Sequence, residues 1–134
     1  MALQLNGRVA SKRTKSPQLQ DRTKEFAIRV IRLVDSLPRR RSADVIGHQL
    51  LRSSTSVGAN YRSARRARSR AEFLSKLGIV EEEADESSYW LELLMESGLM
   101  KQERLKDLLQ ESNEIVAMVV ASIRTARGST RRNA

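Results

Sequence analysis

The chain has 134 residues, with 25 Lys and Arg against 16 Asp and Glu, a net charge of +9, no cysteine and 4% aromatic residues. That length fits one core-bearing domain and not two, and the missing cysteines exclude a disulfide framework or a thiolate metal site. No apolar run approaches the ~20 residues of a membrane span and the N-terminus lacks an apolar signal core, so a soluble cytoplasmic protein with a polyanionic partner is expected.

Taken in chain order, residues 1–16 are basic and are expected to be a disordered tail, ahead of a helical domain over 17–127. Ser16-Pro17 reads as a helix start, the serine capping free amides and the proline needing no N–H partner. Leu19, Thr23, Phe26, Val30, Leu33 and Leu37 then recur at three- and four-residue steps until Pro38 ends the first helix. Ser42 offers a cap for a second helix, with Asp44 in its first turn and an inward stripe through Ile46, Leu50, Ser53, Ser54, Val57, Tyr61 and Ala64. A break near Ala67 and Arg68 is followed by Ser69-Arg-Ala-Glu72, a capping box that opens a third helix of about 28 residues. Leu77, Val80, Ala84, Ser87, Ser88, Leu91 and Leu94 form its stripe, and Gly98 its C-terminal stop. A fourth helix carries Leu105, Leu108, Ser112, Ile115, Val119 and Ile123, and the basic residues 128–134 are expected to form a second disordered tail. Four amphipathic helices with short connections predict an all-α, up-down-up-down four-helix bundle.

Catalytic chemistry finds little to work with. His48 is the single histidine, so no paired-histidine zinc helix can form, and there is no phosphate-cradling glycine loop or nucleophile elbow. The acids from Glu81 to Glu86 point in different directions around a helix, which favours a salt-bridged face over a metal cluster. The expectation is a protein that is not an enzyme and that holds neither metal nor cofactor.

Charge is unevenly distributed. Residues 38–70 hold nine arginines against Asp44, and residues 71–98 hold eight acids against Lys76. Cations at the C-terminal end of a helix can be no more than a solvated end favoured by the macrodipole. Arginine, however, has the planar fork that matches phosphate, so Arg52, Arg62, Arg65, Arg66, Arg68 and Arg70 are candidate nucleic-acid contacts. Arg52 also falls level with Glu81 to Glu86 and has these as candidate partners. The small residues from Ser53 to Ala59 allow close approach of another helix, inside the bundle or between subunits. Tyr89 and Trp90 lie off the inward stripe, either covering the bundle rim or anchoring a neighbouring subunit.

The stretches QLLRSSTSVGAN (Gln49–Asn60), Glu72-Phe73 and EADESSYWLELL (Glu83–Leu94), with Phe26 and Leu37-Pro38 before them, resemble the bacterial four-helix bundle proteins encoded in intervening sequences of 23S ribosomal RNA genes. The resemblance covers roughly two thirds of the chain. It implies a four-helix protomer assembling into a homopentameric barrel without known catalysis. It also implies a more distant kinship with the accessory variability determinants of diversity-generating retroelements, basic pentamers that bind nucleic acid and a reverse transcriptase. Against the family pattern this chain has Ser63 where a glutamate is frequent and adds cations at Arg65, Arg66 and Arg68, which makes this region more basic. A basic oligomer that binds RNA or DNA is therefore the first expectation, and the alternative is a protein adaptor or scaffold, either docking an acidic protein on its basic rim or serving as an accessory protein of a retroelement reverse transcriptase.

Overall fold

The computed structural model describes the backbone of residues 15–133 and the side chains of residues 18–128. Four helices follow one another: α1 (Lys15–Asp35), α2 (Arg41–Arg65), α3 (Arg70–Glu96) and α4 (Gln102–Asn133). They pack in a cycle, α1 on α2, α2 on α3, α3 on α4 and α4 back on α1, and α4 on α1 is the sparsest of these contacts. This is the antiparallel bundle that short connections between amphipathic helices dictate. No strand occurs among the described residues.

The expected stripes meet at the centre. Phe26, Leu50, Leu77, Leu91, Leu94, Leu105 and Ile115 are each less than 2% exposed, and burying a side chain of this size stabilises by roughly 1.5–3 kcal/mol. Two serine pairs cross the interior, Ser53 Oγ to Ser87 Oγ at 2.9 Å between α2 and α3, and Ser88 Oγ to Ser112 Oγ at 2.6 Å between α3 and α4. Each serine also donates to, or shares its hydroxyl with, a carbonyl in its own helix. No buried side-chain polar atom among the described residues is left without a partner, which removes the usual cost of polar groups in a core. The small side chains do part of the expected work, since Ser53 and Ser54 are buried and Gly58 passes close to the Thr23 carbonyl. Thr55 and Ala59 remain on the outside.

Two helix starts differ from expectation. Ser42 is not the cap of α2: Arg40, in extended geometry, precedes the helix, and its side chain makes no capping bond. The Arg40 carbonyl accepts from the Asp44 amide, which sets the helix start two residues before Ser42 could cap it. Similarly, α1 begins at Lys15, so Ser16 and Pro17 lie within its first turn. Proline fits there because the first four amides of a helix have no intrahelical partner. The expected starting boundary at 17 thus falls inside α1, and α4 continues through residue 127 to Asn133. The tail expected over 1–16 lies outside the described residues up to Thr14.

The two remaining boundaries fall where the pattern puts them, although the capping box forms only by half, with no bond from the Ser69 amide to the Glu72 carboxylate. Ser69 Oγ accepts from the Glu72 amide at 3.0 Å and starts α3. Gly98, at φ 77°, turns the chain out of α3 in the left-handed region that favours glycine.

Candidate nucleic-acid interface

The up-down order brings the end of α2, the start of α3 and the end of α4 to one end of the bundle. Arg62 and Arg65 lie in the last turn of α2, Arg66 and Arg68 in the connection, and Arg70 opens α3. Arg70 Nη1 donates to the Ala126 carbonyl at 3.2 Å, which fixes the end of α4 beside them. Arg65 reaches across to Gln20 Oε1 and ties in the start of α1. All of these arginines are exposed, and Arg62, Arg66 and Arg68 form neither ion pair nor hydrogen bond with any described residue. The break that holds Arg66 and Arg68 off the helices depends on the Ser69 cap, a local feature independent of the cations.

Arg124 and Arg127, both exposed on α4, join this end. Sequence pattern alone leaves them outside the candidate set. The signal that includes them is topological, because an antiparallel fourth helix must finish where the second one finishes.

Arg52 is not part of this cluster. It lies ten residues before Arg62 on α2, about 15 Å along the helix axis. There its guanidinium faces α3, bonding Glu86 Oε2 and standing 3.5 Å from Glu83 Oε1. Glu86 Oε2 also accepts from Trp90 Nε1 at 3.2 Å, so Trp90 extends the same surface network. Trp90 packs half-buried against the core, and the 52%-exposed Tyr89 meets it edge-to-face with ring centres 5.0 Å apart.

A second charged feature bridges the sparse α1–α4 seam. Arg22 forks onto Glu111 at 2.6 and 2.9 Å, reaches Glu114 at 2.7 Å, and sets Nη1 3.2 Å from Met118 Sδ. The Glu111 bonds, partly offset by burial, hold the Arg22 proton more firmly than usual. Glu114 is held below the ordinary carboxylate range by the hydrogen bond from Gln110 and then by Arg22. Among the described residues no group of three or more His, Asp or Glu converges as metal ligands, and no helix is long and apolar enough to cross a membrane.

A four-helix bundle with an arginine cluster where α2, α3 and α4 meet is thus the class of protein that the fold and the site define. Residues 16–121 match the family model of the 23S rRNA-intervening sequence proteins, and the chain belongs to that family. Among solved structures it is similar to a protein of unknown function from the S23 ribosomal protein family of Bacteroides thetaiotaomicron. The two are 38% identical over 83% of this chain and 99% of that one, with a TM-score of 0.78. No curated protein matches the chain.

Proposed function

We propose that this protein is a non-enzymatic nucleic-acid-binding subunit that acts as a homo-oligomer, a pentamer on the family resemblance, and holds phosphates on the arginine end of the bundle. The observation that carries this reading is the convergence of Arg62, Arg65, Arg66, Arg68, Arg70, Arg124 and Arg127 at one end, contributed by three helices and one connection. Carboxylates pair with Arg22 and Arg52, whereas none pairs with Arg62, Arg66 or Arg68 among the described residues. A polyanion is the ligand chemistry that such a surface attracts. Self-assembly is supported by the exposed Val45 (59%) and Tyr89 (52%) and by the small residues Thr55 and Ala59 on the outer side of α2. A ring of such protomers repeats the cationic end around its axis and sums the field.

The test is titration of the wild-type protein with labelled generic RNA and duplex DNA between about 50 and 200 mM salt, with the solution mass measured on the same sample. Affinity should fall steeply with salt for both ligands, and the mass should be a multiple of the 15.2 kDa chain. A monomer that ignores nucleic acid but captures an acidic protein would replace this reading with that of an adaptor.

A further inference from the structure

Below the Arg22 bridge, on the side of the arginine end, α1 and α4 part to leave a groove of about 980 Å³. That volume lies at the top of the ~300–1,000 Å³ range of sites that take small organic groups. Its position follows from side-chain size. On α4 the groove is lined by Ala117 and Ala121, which are too short to close the seam, while Arg22, Glu111 and Glu114 pin the two helices further along. The walls combine apolar surface with polar atoms. Leu19, Met118 and the half-buried Phe73 supply the first, and Gln18 and Thr125 supply amide and hydroxyl groups that bond no other described residue. Arg70 lines the groove and also belongs to the arginine end.

An apolar slot with polar edges, opening beside a phosphate-attracting surface, matches a nucleobase still attached to its backbone. In a duplex the bases are paired and stacked inside, and only phosphates reach such a surface. A single strand can turn a base outward onto aromatic and apolar side chains while cations hold the flanking phosphates. Resting on the nucleic-acid reading above, we infer that the α1–α4 groove receives an unstacked base of a single-stranded nucleic acid whose phosphates lie on Arg70 and its neighbours. The groove makes the ligand a single strand and places it across the α1–α4 seam.

The groove can be filled from exposed positions without disturbing the core. Ala121→Trp and Thr125→Phe, both at exposed sites of α4, are titrated beside the wild type with a fluorescein-labelled oligouridine of about 12 nucleotides and with a duplex of the same length. Helicity is the control for folding. The wild type should prefer the single strand at equal salt. Each variant should bind the single strand on the order of tenfold more weakly, the value of one lost base contact, with duplex affinity and salt slope unchanged. Folded variants that bind the single strand like wild type, or that lose both ligands equally, overturn the groove. If the wild type still binds duplex steeply with salt in that event, the arginine reading survives. A wild type that binds neither ligand overturns both.

Discussion

Arg52 and Arg66 lie on or just beyond the same helix and are both exposed, yet their surroundings differ. Arg52 stands level with Glu83 and Glu86 on α3, and its charge is met within the chain. Arg66 and its neighbours sit where α3 has only begun, before its run of acids, and no carboxylate stands within ion-pair range of Arg62, Arg66 or Arg68 among the described residues. In an antiparallel hairpin, distance from the turn decides which charges can pair. The basic and acidic blocks therefore cancel at mid-bundle and fail to cancel at the turn. Net charge alone misses this, because +9 is the remainder after one region is neutralised and another is not.

Both regions stand on one core, and the largest effect comes from removing it. Leu77→Asp or Leu91→Asp places a carboxylate at a fully buried position, a cost of several kcal/mol against a total stability of about 5–15 kcal/mol. Loss of helicity and of a cooperative melt is expected, and retention of both would show that the shared core is wrongly drawn.

Breaking the α1–α4 bridge should cost less. Arg22→Met leaves Glu111, whose side chain is 17% exposed, without its fork, and the loss is on the order of 1–3 kcal/mol. Chemical denaturation should show it as a lower midpoint with an unchanged slope. Acid weakens the same seam. The folded-state pKa of Glu114 is below its ordinary 4.5, so its contribution is complete above about that value and is lost as pH falls through the folded one. A thermal melt against pH should show wild type and Glu114→Gln converging at the acid end. A gap that widened there would reverse the assignment.

The smallest effect sharpens the comparison most. Glu83→Gln with Glu86→Gln frees Arg52, and since exposed pairs are worth about 0–1 kcal/mol, stability should barely change. Nucleic-acid affinity should rise only slightly, because Arg52 lies too far from the arginine end to join it. A gain as large as the loss caused by removing an end arginine would erase the distinction between the two regions.

Much of this was legible in the sequence. The inward stripes depend on helical period alone, and Leu50, Val57, Leu77, Leu91 and Ile115 are buried where that period puts them. The Ser69 and Gly98 boundaries are equally local, each set by one side chain or one backbone conformation. Ser42 misled because a capping side chain needs the preceding backbone to cooperate, and the Arg40 carbonyl had already taken the Asp44 amide. The role of Arg22 could not be read, since its partners lie 89 and 92 residues away on a helix whose rotation only packing fixes. The groove was hidden for the same reason, as small residues on α4 do not show in sequence whether a neighbour fills the space they leave.

The most direct test of the arginine end is the triple variant Arg65→Glu, Arg66→Glu and Arg68→Glu, titrated with nucleic acid at several salt concentrations. Helicity and solution mass should match the wild type, because the Ser69 cap sets the turn without these side chains. Affinity should collapse at low salt, and the slope of log affinity against log salt should shrink by roughly two to three units, close to one for each phosphate contact removed. A folded variant with the affinity and slope of the wild type would contradict the account.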